Sequence, residues 1–205
     1  MNRFLETVLI LLISPIWLPL WPLVWLTVRL SLGTPVFFVQ ARSGRGGKVF
    51  DIVKFRSMSD ARDASGALLP DDRRVTRAGR VLRLLRLDEL PQLWSILRGD
   101  MALVGPRPLL PGTLRSFGTA GFVRGSVRPG LTGWAQVSGN TALTDREKLE
   151  LDLWYVAHRS TLLDLRILAE TVAVVIFRER RKPARIALAA DWAAGMARTP
   201  TADCT

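Results

Sequence analysis

The feature that most constrains the fold of this chain is a long uncharged run near its start. No charged residue occurs from Thr7 to Val28, and Glu6 and Arg29 bracket the run. A helix of this length crosses a hydrocarbon core of roughly 30 Å. A cleaved signal peptide is disfavoured because the run is too long and no small-x-small site follows it. The sequence therefore predicts a membrane-associated N-terminal segment.

Prolines within the run argue against a straight span. Pro15, Pro19 and Pro22 each lack a backbone donor and strain the preceding turn. A break at Ser14-Pro15 leaves arms too short to span separately, which predicts a re-entrant helix–break–helix entering and leaving by one face. The Ser14 hydroxyl is expected to satisfy a backbone group freed at the break. A one-pass signal anchor remains the alternative.

The charge balance indicates an anionic partner. The 205 residues hold 29 Lys and Arg against 18 Asp and Glu, a formal net charge of +11. Lipid surfaces, nucleic acids and phosphorylated substrates all fit that sign. A single histidine, His158, and a single cysteine, Cys204, exclude a disulfide framework and a Cys/His metal cluster. Basic regions tend to stay cytoplasmic, which predicts that the remainder lies on that face of the membrane.

The rest of the chain predicts an α+β fold that is mainly helical. Strands are expected at 36–40 and 49–55, joined by a glycine-rich hairpin loop. Helices are expected over 77–87, 88–98, 144–158 and 161–178, with a capping box at Thr144 and Glu147 and a stop at Gly99. The predicted division is a membrane anchor at 1–30, a catalytic domain at 31–180, and a partly disordered basic and alanine-rich tail at 181–205.

The helix predicted over 77–87 is amphipathic. Arginines recur at spacing three on one half, with leucines and valine on the other, as at Arg77, Arg80, Arg83 and Arg86. This pattern suits a helix lying at an anionic lipid interface. An ordinary surface helix of a soluble domain has the same pattern, so both interpretations stay open.

Two segments carry residues suited to phosphate chemistry. Asp88 and Glu89 are adjacent at a predicted helix start, where a carboxylate is usually a cap. The same environment keeps a carboxylate ionised, as a nucleophile or a magnesium ligand requires. Pro106 and Pro108 fix the backbone around Arg107, and a guanidinium held in this way suits bidentate phosphate binding. A proline-rich surface turn is the alternative for that loop.

These motifs together resemble the bacterial sugar transferases, the monotopic phosphoglycosyl transferases, in their minimal catalytic form. The resemblance covers roughly Arg3 to Arg178. It is carried, in the family's order, by Lys54-Phe55-Arg56-Ser57-Met58, Leu87-Asp88-Glu89-Leu90-Pro91-Gln92-Leu93, Gly99-Asp100-Met101, Val104-Gly105-Pro106-Arg107-Pro108, Arg128-Pro129-Gly130-Leu131-Thr132-Gly133-Trp134-Ala135-Gln136-Val137, Asp152, Trp154-Tyr155 and Asp164-Leu165. Ser138 and Ala102 depart from the usual motifs, which bears on sugar identity rather than reaction type.

The resemblance implies transfer of a sugar 1-phosphate from a nucleotide diphosphate sugar, usually a UDP-sugar, to polyprenyl phosphate. The products are a polyprenyl diphosphate sugar and UMP. It further implies that Asp88 forms a covalent phosphosugar intermediate, that Mg²⁺ associates with Asp88, and that Ser14-Pro15 breaks a re-entrant helix. Glu89 is the second catalytic residue. The predicted ligands of substrate phosphate are Lys54, Arg56, Arg83, Arg107 and Arg128.

The resemblance also implies a location in the bacterial cytoplasmic (inner) membrane, with membrane lipids and the two substrates as partners and no nucleic acid. It is compatible with a homodimer. The competing hypothesis is a non-enzymatic, membrane-anchored basic module that binds nucleic acid or other anionic partners, motivated by the net charge of +11. Tight and strongly salt-dependent binding to generic DNA or RNA would distinguish that module from the enzyme.

Overall fold

A computed structural model describes residues 1–198. Residues 199–205, with Cys204 and the end of the tail predicted to be disordered, lie outside the described part. The chain forms two compact units. The N-terminal unit holds residues 3–41 and 50–99, and the C-terminal unit holds residues 1–2, 42–49 and the chain from Asp100 onward. The predicted boundaries at 30 and 180 stay predictions.

The N-terminal unit begins with two consecutive helices. Helix α1 spans Arg3–Leu12 and helix α2 spans Ser14–Leu32, so the helix break falls beside the predicted Ser14-Pro15. Pro15 has no N–H for the carbonyl of Leu11, and the Ser14 hydroxyl donates to that carbonyl at 2.7 Å, as predicted. Within the described residues, α2 is the one helix long and apolar enough to cross a membrane by length and composition.

A β-hairpin and three helices follow α2 in the chain. Strands β1 (Phe37–Ser43) and β2 (Val49–Phe55) pair as the predicted hairpin. They are followed by helices α3 (Asp71–Arg74), α4 (Arg77–Leu84) and α5 (Gln92–Arg98). The buried face of α2 packs against the hairpin and α4 in a core formed by Val24, Val28, Val36, Phe55 and Leu82. Trp21, Phe37 and Phe55 contact one another with ring centroids 5.1–5.6 Å apart.

The predicted helix over 88–98 is wrong at its start. The chain forms a 3₁₀ turn at Leu87–Glu89, and α5 begins only at Gln92. Helix α4 ends at Leu84, three residues earlier than expected, because Arg86 adopts a left-handed conformation (φ 58°) that redirects the chain. Asp88 is therefore not a helix cap. The predicted stop at Gly99 is confirmed, with φ at 92°.

The C-terminal unit is helical around a short parallel strand pair. Strands β3 (Ala102–Val104) and β4 (Gly130–Thr132) pair Ala102 with Gly130 and Val104 with Thr132. The helices are α6 (Pro111–Ser116), α7 (Gly118–Arg124), α8 (Trp134–Val137), α9 (Asp145–His158), α10 (Thr161–Phe177) and α11 (Pro183–Arg198). The capping box at Thr144 and Glu147 is confirmed. The sequence did not predict this strand pair, α6, α7, α8 or the helical tail.

Candidate functional site

The candidate site in the N-terminal unit is built around two buried, adjacent carboxylates. Asp88 is 9% exposed and Glu89 is 6% exposed. Leu87 and Leu90, on either side of the pair, pack against the core behind α2. The left-handed Arg86 and the following 3₁₀ turn direct the pair into this setting. The fold thus fixes the backbone of the pair from both sides.

The two carboxylates have different partners. Lys54 Nζ donates to Glu89 Oε1 at 2.7 Å, and Arg86 Nη1 lies 3.7 Å from Glu89 Oε2. Among the described residues, no cationic nitrogen forms an ion pair with Asp88, although Lys54 and Arg83 act on its carboxylate through their fields. Glu89 is therefore the neutralised member of the pair, and Asp88 is the carboxylate left for a ligand.

The electrostatic state of Asp88 follows from this arrangement. Burial, and next the negative charge of Glu89, raise the pKa of Asp88 to about 6, against the opposing charges of Lys54 and Arg83. The pKa of Asp88 is thus raised and not lowered, because the residue lies in a 3₁₀ turn and does not cap α5. At pH 7 Asp88 is mostly ionised, and a bound cation or phosphate-bound metal would lower the cost of its charge.

The structure brings together only some of the predicted phosphate ligands. Lys54 and Arg83 lie close enough for their charges to act on the Asp88 carboxylate. Arg86, which the predicted set omitted, forms an ion pair with Glu89. The arginines spaced by three residues before the acidic pair were the available signal for Arg86. Arg56 instead donates to Asp60 Oδ2 at 2.7 Å and to the carbonyl of Pro35 at 2.8 Å.

The other two predicted phosphate ligands belong to the C-terminal unit. Arg107 lines a polar cavity there, and its carbonyl accepts a hydrogen bond of 2.6 Å from Arg124. Arg128 donates to the carbonyl of Met101 at 2.9 Å, which ties the loop before β4 to the start of β3. A buried ion pair joins Arg124 to Asp152 at 2.8 Å.

The lone histidine has a structural position. His158 stacks on Trp154 with ring centroids 4.4 Å apart and contacts Trp192 of α11 edge-on. Its Nδ1 lies 2.8 Å from the carbonyl of Trp154. These contacts place His158 in the packing of α9 against α11.

An apolar cavity of about 430 Å³ lies within the N-terminal unit and is lined in part by Leu90 and Pro91, the two residues that follow the carboxylate pair. Its walls include Trp17 and Trp21 of α2, Leu90 directly after the pair, and Trp94 and Arg98 of α5. The indole of Trp17 also donates to the carbonyl of Ile10 at 3.1 Å across the helix break. The cavity can take a hydrocarbon group, with one cationic side chain in its wall.

Asp88 also fits a magnesium ion. Mg²⁺ keeps several waters and is usually held by one or two carboxylates plus substrate phosphates. Asp88 supplies such a carboxylate, and no group of three or more His, Cys, Asp or Glu side chains suited to a metal occurs in residues 1–198. The donor set therefore suits a substrate-completed magnesium site rather than an all-protein cage.

Comparisons with known proteins identify the family of this chain. The sequence model of the family described as bacterial sugar transferase matches residues 1–178. A sugar transferase of Bacillus subtilis, EpsL, is 51% identical over 152 residues, covering 74% of this chain and 75% of the relative. A UDP-glucose:undecaprenyl-phosphate glucose-1-phosphate transferase of Caulobacter vibrioides is 40% identical, covering 83% of this chain and 68% of the relative.

Another relative is longer than the region it shares. A UDP-N-acetylgalactosamine-undecaprenyl-phosphate N-acetylgalactosaminephosphotransferase of Aeromonas hydrophila is 38% identical over 85% of this chain, but the match covers 43% of that protein. The shared region includes the acidic pair and the motifs on both sides of it. With its buried Asp88 and Glu89 and a family match from residue 1 to residue 178, this chain belongs to the bacterial sugar transferase family.

Proposed function

We propose that this chain transfers a sugar 1-phosphate from a UDP-sugar to polyprenyl phosphate at the bacterial cytoplasmic membrane, as an early membrane step of polysaccharide assembly. The observation that carries the proposal is the unequal acidic pair. Glu89 is neutralised by Lys54 and Arg86, whereas Asp88 is buried, forms no ion pair within residues 1–198 and has a pKa of about 6. A carboxylate in this state is suited to attack a phosphoryl group.

In the proposed first step, an oxygen of the Asp88 carboxylate attacks the phosphorus bonded to the sugar. The bond from that phosphorus to the bridging oxygen breaks, and UMP leaves with the bonding electron pair. In the second step, a phosphate oxygen of the polyprenyl phosphate attacks the same phosphorus and releases Asp88 as a carboxylate. Glu89 positions Lys54 and Arg86, and those cations together with Arg83 offset the negative charge of the reacting phosphates.

Asp88 would hold Mg²⁺ together with the substrate phosphates. When bound, the ion supplies charge neutralisation for the diphosphate. Its requirement is part of the proposal, and removal of divalent cations by a chelator is expected to abolish turnover.

The lipid acceptor is supported by the apolar surface of the N-terminal unit. Phe4, Leu12 and Leu30, on α1 and α2, are each more than 70% exposed, an arrangement that favours lipid around these helices. The apolar cavity between α2 and α5 offers a place for the first isoprenoid units beside Asp88. Replacing Trp94 by Ala is expected to raise the KM for polyprenyl phosphate while leaving the KM for the UDP-sugar unchanged.

The proposal is tested by UMP release in nanodiscs that contain undecaprenyl phosphate and Mg²⁺, with a panel of UDP-sugars as donors. The Asp88→Asn variant should lose at least about 1,000-fold in turnover, because the nucleophile is removed. Asp51→Asn makes the same change at an exposed position on β2 and should retain activity. Turnover by Asp88→Asn at the rate of the wild type would refute the proposal.

A further inference from the structure

A second cavity, of about 320 Å³, lies wholly within the C-terminal unit. Its wall combines cationic side chains with polar and aromatic ones, among them Arg107, Lys148, Gln136, Asp152 and Phe117. The volume is in the range of small-molecule sites, which are usually concave and carry a few fixed polar groups. The mechanism proposed for Asp88 does not use this cavity.

The cavity gathers buried polar atoms that have no hydrogen-bond partner. Gln136 is 3% exposed, and neither its Nε2 nor its Oε1 is paired. The Oδ1 atom of Asp152, also 3% exposed, is unpaired as well. Of the five such side-chain atoms in the described residues, these three belong to side chains that line the cavity. Unpaired buried groups are costly and rare, so their concentration on one cavity wall indicates a ligand that completes them.

The surrounding structure holds these atoms in place. Arg124 Nε donates to Asp152 Oδ2 at 2.9 Å, and Arg124 Nη2 lies 2.8 Å from the same oxygen, which leaves Oδ1 for another donor. Arg124 also donates to the carbonyl of Arg107, so the cationic loop and the acidic helix α9 are joined through one side chain. A Cβ on residue 133 would lie 2.7 Å from Gln136 Oε1, so Gly133 is what permits this amide position.

The cationic side of the cavity is suited to an anion. Burial lowers the pKa of Arg42, and the charge of Arg107 lowers it further, so the two guanidinium groups lie within each other's field. A bound phosphate would relieve that repulsion. Lys148, which also lines the cavity, is paired with Asp145 of the same wall at 3.0 Å. The cavity thus offers an uncharged amide and a carboxylate oxygen next to cationic groups.

We infer that this cavity binds the uridine monophosphate portion of the nucleotide donor, with Gln136 and Asp152 recognising the nucleoside and Arg107 the adjoining phosphate. A primary amide presents an N–H donor and a C=O acceptor side by side, which complements the C=O and N3–H edge of uracil. The Asp152 oxygen accepts a hydrogen bond from a ribose hydroxyl or from N3–H. The identity of the nucleotide rests on the proposed function, whereas the cavity and its unpaired atoms do not.

The test is direct UMP binding to the full chain in nanodiscs, measured by equilibrium dialysis in the presence of a chelator. Gln136→Leu should weaken UMP binding about tenfold or more, the loss expected when a hydrogen-bonding group is removed from a buried contact. This variant should remain folded because it replaces an unpaired buried amide by an apolar side chain. Ser138→Ala is the matched control, since Ser138 Oγ is buried and unpaired but does not line the cavity. It should bind UMP as the wild type does.

Competition distinguishes nucleoside recognition from phosphate binding alone. Uridine should displace UMP from the wild type far better than from Gln136→Leu, and ribose 5-phosphate should compete weakly with both. The inference is overturned if the wild type binds no UMP, if folded Gln136→Leu binds it unchanged, or if ribose 5-phosphate competes as well as UMP. Gln136-dependent UMP binding without turnover of any UDP-sugar would refute the proposed function and support the cavity assignment. Turnover of a UDP-sugar by the wild type, together with unaltered UMP binding by Gln136→Leu, would support the proposed function and overturn the cavity assignment.

Discussion

At the scale of single residues, the chemistry depends on how two adjacent carboxylates share their counter-charges. Lys54 and Arg86 neutralise Glu89, so the cost of burying a second negative charge falls on Asp88. The native state therefore favours the protonated form of Asp88 relative to the unfolded chain. Burial destabilises the negative charge of Asp88 and so lowers the stability of the fold. The same burial keeps water away from the carboxylate oxygen that is proposed to attack the phosphorus.

The Asp88→Asn variant should accordingly be more stable than the wild type at neutral pH while losing activity. With the pKa raised from 3.8 to about 6, removal of the charge is worth up to about 3 kcal/mol at 1.36 kcal/mol per pKa unit. The native state binds the proton more tightly, so the penalty is absent below about pH 4 and grows as the pH rises through about 6. Thermal unfolding of both proteins from pH 4 to 8 measures this difference, and a constant or shrinking difference would contradict the prediction.

The same pKa predicts the acid limb of the pH–rate profile. If ionised Asp88 is the nucleophile, kcat/KM for the UDP-sugar should fall about tenfold for each pH unit below about 6. Initial rates of UMP release from pH 4.5 to 8 measure this limb. Glu89→Gln should move the limb to lower pH because the charge of Glu89 raises the pKa of Asp88. An unchanged rate at pH 5 in the wild type would exclude Asp88 as the titrating group.

At the scale of secondary structure, the sequence predicted elements whose signals are local. The helix break beside Ser14, the hairpin from β1 to β2, and the capping box of α9 all follow from residue chemistry within a few positions. The pairing of β3 with β4 could not be predicted in this way, because each strand has three residues and its partner lies more than 25 positions away. The late start of α5 was missed because the left-handed turn at Arg86 has no glycine or asparagine to signal it.

The parallel strand pair depends on close backbone contact at a glycine. A Cβ on residue 130 would lie 2.1 Å from the backbone nitrogen of Gly105, which no side-chain movement can relieve. Gly130→Ala should therefore lower the free energy of unfolding by about 1–3 kcal/mol, the usual cost of overpacking. Gly112→Ala in α6, where a Cβ meets nothing within 4 Å, is the control and should be neutral or slightly stabilising. Equal stability of the two variants would contradict the β3–β4 register.

The tail helix α11, which lies beyond the family match, begins beside a carboxylate on α10. Glu170 accepts hydrogen bonds of 2.6–2.7 Å from Lys182 and Arg185, and Arg185 lies over the ring of Trp134 at 4.1 Å. Although burial raises the pKa of Glu170, these hydrogen bonds and one from Arg166 lower it to about 2. The tail was predicted to be partly disordered because alanine-rich sequence alone does not reveal this carboxylate.

Glu170→Gln should loosen α11 without unfolding the unit. Hydrogen exchange of residues 183–198 is expected to accelerate about tenfold, as local opening becomes easier once the charged acceptor is gone. Glu150→Gln removes a carboxylate of α9 that accepts from Arg146 within the same helix, and should leave exchange of α11 unchanged. Identical exchange of α11 in wild type and Glu170→Gln would show that the ion pairs do not hold it.

At the scale of the whole molecule, the chain combines exposed apolar helices, a net charge of +11 and a buried acidic pair. The family follows from ordered motifs along the sequence, which the match over residues 1–178 confirms. The different surroundings of Asp88 and Glu89 could not be predicted from the sequence, because they depend on which cations the folded hairpin and the turn at Arg86 bring to each carboxylate. The same holds for Gln136, whose motif position gives no sign that both of its amide atoms lack partners.

The most direct test of the central claim is capture of the covalent intermediate. Wild-type protein in nanodiscs, given a UDP-sugar labelled with ³²P in the sugar-linked phosphate and Mg²⁺ but no acceptor, should retain the label, and polyprenyl phosphate should then discharge it. Asp51→Asn should behave as the wild type does, and Asp88→Asn should retain no label. Label retained by Asp88→Asn at the level of the wild type would contradict the claim that Asp88 is the nucleophile.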